Sequence, residues 1–164
     1  MITRLLQALA VLHLILAHLY LGLFGLFLSL YLLSTPLYPV SLLYAAWYVY
    51  DHGTPARGGR RSEWVRRWAV WRYFRDYFPV TLVKTAELSP DRNCIIVHHP
   101  HGIFSVGATI GLVAEALGVT ETFPGIRTTP VVIKYPFLLP LSREYWLAMG
   151  ESGRLLIALH GFIC

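Results

Sequence analysis

Between Arg4 and Asp51 the chain contains no Asp, Glu, Lys or Arg, a charge-free run of 46 residues in which His13 and His18 are the only histidines. One bilayer-spanning helix needs about 20 apolar residues, so this run is long enough for more than one membrane segment. A secretory leader fits poorly. Arg4 could supply its basic flank, but leader cores run to roughly 7–15 residues, and the small-residue Ala-Leu-Ala triplet at 8–10 precedes most of the apolar stretch instead of following it. A retained membrane anchor is the reading adopted. The two prolines of "STPLYP", Ser34 to Pro39, remove backbone donors and restrict the residues before them, which predicts a helix break. The expected result is a hairpin, with a first arm over about 5–33 and a shorter return arm over 40–50. Arg57, Arg60, Arg61, Arg66 and Arg67 follow the second arm closely, and the basic bias of cytoplasmic flanks places both termini in the cytosol. A wholly buried soluble helix pair is the competing reading, and the length of the uncharged run disfavours it.

The basic stretch from Arg57 to Arg75 carries seven arginines against one acid, Glu63, in a chain whose net charge is +5. Nucleic acid is one partner such a stretch could serve. However, Trp64, Trp68 and Trp71 interleave the arginines at helical spacing directly after a membrane segment, which better fits an interfacial helix with aromatic anchors and anionic-lipid contacts. No nucleic-acid partner is expected. Ser62 is the predicted N-cap, with Glu63 in the first turn. Arg75 falls on the tryptophan face, so either it snorkels or the helix ends earlier. A helix whose tryptophans pack in a protein core is the alternative. The two cysteines, Cys94 and Cys164, make neither a disulfide framework nor a metal pattern.

After Pro79 the pattern changes. "VTLVKT" (80–85) alternates like a strand, and "CIIV" (94–97) is a short apolar run of the kind found in buried parallel strands. "HHPHG" (98–102) follows, and then "IFSVGATIGLVAEALG" reads as a helix ending near Gly118. A strand, a sharp loop and a helix would present the histidines at the carboxyl end of a sheet. "TTPVVIK" (128–134) is a further strand candidate, "SREYWLAM" (142–149) a short helix, and 154–163 either. The expected fold is therefore α/β: a membrane-embedded helical hairpin over 1–50, a basic aromatic interfacial helix over 51–78 and a partial α/β domain over 79–164.

His98, His99 and His101 invite three chemistries: proton transfer, metal ligation or local structure. For zinc, His98 and His99 as strand neighbours would point to opposite faces, and no Cys or carboxylate nearby completes a ligand set. A Ser105 nucleophile fails the G-x-S-x-G elbow, since Gly102 lies three residues before it and not two. A purely structural histidine cluster stays open at this point.

"RDYFP" (75–79), "LVKTAEL" (82–88), "HPHG" (99–102), "FPGIR" (123–127) and "REY" (143–145), in this order and at these intervals, resemble the diacylglycerol acyltransferase type-2 family over roughly 37–150. The "FLSL" of Phe27, Leu28 and Leu30 matches the family's lipid-contact pattern. The resemblance implies an acyltransferase domain in an enzyme of the endoplasmic reticulum membrane, also found at lipid droplets, that acylates a mono- or diacylglycerol or a fatty alcohol from fatty acyl-CoA. It implies no cofactor, acyl-CoA being a co-substrate. The bilayer is an expected partner, and a homo- or hetero-oligomer is left open. Acyl transfer to an alcohol needs a base for the hydroxyl proton and donors for the developing oxyanion. His101 is the candidate base and His99 its orienting neighbour; Pro100 and Gly102, the latter allowing close backbone approach, are candidate substrate-binding residues together with Tyr77, Phe78 and Pro79. No local carboxylate partners the histidines, and Glu115 is the remote choice. Family members continue for roughly as many residues again, so a C-terminally truncated and by itself inactive chain is expected, with a non-catalytic, lipid-binding or regulatory role as the alternative.

Overall fold

The computed structural model describes residues 1–91, 95–98 and 105–153. Its first three helices are α1 (Ile2–Leu19), α2 (Leu21–Leu33) and α3 (Tyr38–Tyr50). The proline-bearing break falls where the sequence places it, between Leu33 and Tyr38, with Ser34 and Thr35 hydrogen-bonding back to the carbonyls of Tyr31 and Leu32. The hairpin arms are α2 and α3, joined also by Ser41 Oγ donating to the Ser29 carbonyl at 2.9 Å.

The expected single first arm is divided. Its axis breaks at Tyr20 (φ −117°, ψ −23°), leaving α1 and α2 with different partners. α1 is the one helix among the described residues long and apolar enough to cross a membrane, at about 27 Å from 1.5 Å per residue. One face of it is nevertheless protein-facing: Gln7, Ala10, Leu14 and Ala17 are buried, and α1 packs on α5. His13 and His18 lie on this inner side. His13 Nε2 is 3.0 Å from the Tyr145 hydroxyl, and the His18 ring meets Trp146 edge-on. The other face, including Leu5, Leu9, Leu12 and Ile15, is exposed.

α2 approaches the chain before α8 through Gly22 and Gly25. A Cβ on Gly22 would stand 2.7 Å from Leu139 Cδ1, and one on Gly25 would run into the Pro140 carbonyl. Only residues without side chains permit this approach.

The arginine-rich stretch forms two short helices, α4 (Glu63–Arg66) and α5 (Ala69–Tyr77), separated at Arg67 and Trp68. Ser62 caps α4 as predicted, its side chain accepting the Val65 N–H at 3.4 Å. The tryptophans are not equivalent: Trp64 is 74% exposed, whereas Trp71 is fully buried and donates Nε1–H to the Val65 carbonyl at 2.8 Å. Trp71 therefore follows the core-packed alternative and not the interfacial one. Arg75 neither snorkels nor ends the helix. It donates to the Ala116 carbonyl at 2.9 Å and pairs with Asp76.

Beyond Pro79 the described residues do not form the expected α/β fold. They contain no strand, only a single parallel bridge, Val131 with Ser152, where Val132 N–H and Ser152 N–H each donate at 2.9 Å. Segments 80–85 and 95–97 are irregular, and Val83, Ile95, Ile96 and Val97 are exposed. A strand takes its hydrogen bonds from a neighbour, and an apolar run without one carries no ladder whatever its propensity. The segment 105–118 is helical but uneven: α6 (Val106–Ala108), a π turn over Thr109–Val113 and a 3-10 turn over Glu115–Leu117, ending at left-handed Gly118 as predicted. α7 (Val119–Thr122) follows. α8 (Ser142–Met149) matches the predicted short helix and ends at left-handed Gly150. Trp71, Phe74, Ile110, Trp146 and Leu147 join Ala10, Leu14 and Ala17 in one core.

Candidate active site and the ion networks around it

His99, Pro100, His101 and Gly102 lie outside the described residues, as does the 154–163 segment. The histidine loop is bracketed by His98 and Ser105. His98 stands over α6, so close that a Cβ on Gly107 would be 2.9 Å from its Nε2. No group of three metal-ligating side chains occurs among the described residues.

The other expected contact residues are at the surface. Tyr77 and Phe78, each 43% exposed, close α5 as an edge-to-face pair with ring centres 4.8 Å apart. Phe27, Leu28 and Leu30 are exposed on α2. α5 packs on α1 and on the 115–117 turn, and α2 packs on α3, α1 and α8, so α1 is the neighbour that the two sets share.

Two ion networks, which the sequence did not announce, organise this region. In the first, Asp51 at the end of α3 is buried and accepts from Thr54 Oγ1 at 2.6 Å, with Arg143 Nη2 at 2.5 Å and Arg60 Nη1 at 2.9 Å. Arg143, itself buried, also donates to the Asp51 carbonyl, and Glu144 pairs with both Arg60 and Arg143. Burial opposes ionisation of Asp51, but the bonds from Thr54 and Arg143 and the charges of Arg143 and Arg60 outweigh it. Its carboxyl is held below the usual range. The guanidiniums of Arg60 and Arg143 lie over Trp47 and Tyr48, 5.1 and 5.2 Å from the ring centres.

In the second network, fully buried Arg66 reaches Glu115 at 2.9 Å, Glu63 at 3.2 Å and the Val113 carbonyl. Arg61 pairs with Glu63 at 2.5 Å, and Thr120 Oγ1 donates to Glu115 at 2.6 Å. Glu115 is thus paired with Arg66 and Thr120, and His99 and His101, whose remote partner it would be, lie outside the described residues. A carboxyl that sequence reasoning missed is Glu151. Burial alone pushes it up to about 8. Nothing in its neighbours, Gly150 and Ser152, marks it in the sequence.

Arg143, Glu144 and Tyr145 of the "REY" motif therefore have packing roles: the first two clamp Asp51 and Arg60, and Tyr145 meets His13. Together with the apolar helices they define a class: a chain whose apolar hairpin is ion-locked to an arginine-rich helical body that adjoins a histidine loop. The diacylglycerol acyltransferase family model matches residues 30–154, and the chain belongs to that family. It is 46% identical over 149 residues to diacylglycerol O-acyltransferase 2 of Xenopus tropicalis, covering 91% of this chain and 41% of that protein. With the Homo sapiens diacylglycerol O-acyltransferase 2 it shares 45% over 145 residues, 88% of this chain and 37% of the relative. With the Homo sapiens acyl-CoA wax alcohol acyltransferase 1 the figures are 45% over 144 residues, 88% and 44%. The chain spans about two-fifths of the length of the curated relatives it matches. No solved structure matches it.

Proposed function

We propose that this chain contributes the histidine-loop portion of a membrane-bound, acyl-CoA-dependent O-acyltransferase of neutral lipid synthesis. Its acceptor is the hydroxyl of a mono- or diacylglycerol or of a fatty alcohol. The observation that carries the reading is the family match over residues 30–154, which spans the "HPHG" segment and both flanking motifs. In the proposed step His101 takes the acceptor's hydroxyl proton as the oxygen attacks the thioester carbonyl. The tetrahedral oxyanion collapses, the carbon–sulfur bond breaks, and the CoA thiolate leaves with a proton returned from the imidazolium. His99 orients the loop, Gly102 allows close backbone approach, and no metal or cofactor takes part. Tyr77, Phe78 and Pro79, with Phe27, Leu28 and Leu30 on α2, contact the lipid chains. The exposed apolar faces of α1 to α3 seat in the endoplasmic reticulum membrane or on a lipid droplet, both termini facing the cytosol.

The test compares the 164-residue chain with a fusion that continues it with the remainder of a curated relative. Both are incubated in microsomes with fatty acyl-CoA and each acceptor. The fusion is expected to form ester, and His101→Ala to lower its rate by about 10²–10⁴-fold. The chain alone is expected to stay membrane-bound without ester above background. An unchanged rate in the His101 variant refutes the general-base role, and loss of activity on exhaustive chelation would favour zinc.

A further inference from the structure

Seven arginines lie between 57 and 75, and the structure divides them by occupation. Arg60, Arg61, Arg66 and Arg75 are tied into ion pairs, and Arg57 reaches Thr54 at 3.5 Å. Arg67 and Arg72 are exposed and form no side-chain hydrogen bond or ion pair among the described residues. Both line a cavity of about 320 Å³ together with Trp68, Ala116, Thr120 and Glu121. Its floor is the Arg66–Glu115 pair, 2.9 Å apart, whose charges cancel each other. The uncommitted charge facing the cavity is thus two guanidiniums against the exposed carboxylate of Glu121. A second hollow of about 420 Å³, lined by Arg127, adjoins it through the shared Thr120.

We infer that this cavity is a phosphate-recognition site for the nucleotide end of a CoA thioester, with Arg67 and Arg72 on the phosphates and the half-buried Trp68 indole against the adenine. The inference rests on the acyl-transfer reading and gives its acyl donor a docking place. Three features carry it. The guanidinium fork suits phosphate oxygens, and two uncommitted forks at one cavity provide charge-assisted bonds that a solvated charge run would not organise. Trp68 offers an aromatic wall on which a planar base can stack. The third is position: Glu115, Ala116 and Gly118, which line the cavity, lie on the segment that leads away from the histidine loop. Arg75, bonded to the Ala116 carbonyl at 2.9 Å, holds α5 and the segment leading from the histidine loop in one frame.

The experiment measures binding of labelled CoA, without an acyl chain, to the 164-residue chain in nanodiscs of neutral phosphatidylcholine. Saturable binding is expected, with quenching of tryptophan emission that Trp68→Phe diminishes. Arg67→Gln with Arg72→Gln should weaken binding by roughly 10- to 100-fold, the loss of two charge-assisted contacts. The charge-keeping pair Arg67→Lys and Arg72→Lys should stay within a few-fold of wild type and shows that the site still folds. Glu121→Gln should tighten binding about 2- to 5-fold by removing the opposing charge. CoA lacking its 3′-phosphate should bind more weakly than CoA. Unchanged CoA affinity in the double glutamine variant overturns the proposal. So does a wild-type chain that ignores CoA but uses the same two arginines to bind anionic vesicles, which makes the site a lipid-headgroup contact. Because the readout involves no turnover, failure to form ester counts against the acyl-transfer reading alone, and the cavity is judged by the titration.

Discussion

Glu151 is buried at the end of α8, and burial pushes its carboxyl from the ordinary 4.5 up to about 8. In the unfolded chain the same group ionises near its ordinary value, so between these limits the native state holds one proton more than the unfolded state. Stability therefore falls as pH rises through this window, by about 1.4 kcal/mol per pH unit, and levels off above the folded value. Across the whole interval the loss is at most about 5 kcal/mol, and between pH 5 and 7 about 3 kcal/mol. Replacement by glutamine, similar in shape and neutral at every pH, removes this dependence. For a chain of this size each kcal/mol moves Tm by about 2–4 °C, so wild type should lose roughly 6–12 °C between pH 5 and 7 through this group. Thermal unfolding of wild type and Glu151→Gln in nanodiscs, followed by emission of the buried Trp71 and Trp146, gives both curves. The variant should match wild type near pH 5 and exceed it increasingly toward pH 8. Parallel curves over that range would refute the buried, protonated carboxyl.

The lock at Asp51 should behave in the opposite sense, because its folded value is depressed: its contribution is present above the usual carboxylate range and is lost as pH falls through the folded value. Arg143→Met should cost about 3–5 kcal/mol by leaving Asp51 short of a buried partner, and adding Asp51→Asn should recover part of that loss in denaturant unfolding. At Gly25 an added side chain meets the Pro140 carbonyl. Gly25→Val should therefore cost about 1–3 kcal/mol and expose the 139–142 loop to protease, while Gly111→Ala, with open space around it, should change stability by less than about 0.5 kcal/mol.

The elements legible in the sequence are those whose signals are local. The proline break before Tyr38, the Ser62 cap, the glycine stop at Gly118 and the whole of α8 follow from backbone chemistry within a few residues. The strands expected at 80–85 and 94–97 depend on neighbours that a propensity pattern does not supply, and 128–134 has one bridge where a ladder was expected. The arginine stretch is only partly legible for a related reason. Its charge count is visible, but the partners of Arg60 and Arg66, Glu144 and Glu115, stand 84 and 49 positions away, and only folding brings them together. The motif residues around "HPHG" were legible through resemblance, whereas Asp51, Glu151 and the division of the arginines into paired and unpaired sets are properties of three-dimensional placement.

The Asp51 lock and the glycine approach of α2 bear on modularity. An anchor that served only as a tether could be exchanged for any apolar helix, or removed to obtain a soluble body, with the remainder intact. Here Ala10, Leu14 and Ala17 are buried in the same core as Trp71 and Trp146, Gly22 and Gly25 admit the 139–142 segment, and the last turn of α3 delivers the carboxylate that neutralises Arg143. Residues 1–51 thus supply part of the interior of the body they would anchor. Trimming them would uncover its core and strand a buried cation, so preparations of this chain should keep the apolar helices and adapt the solvent to them.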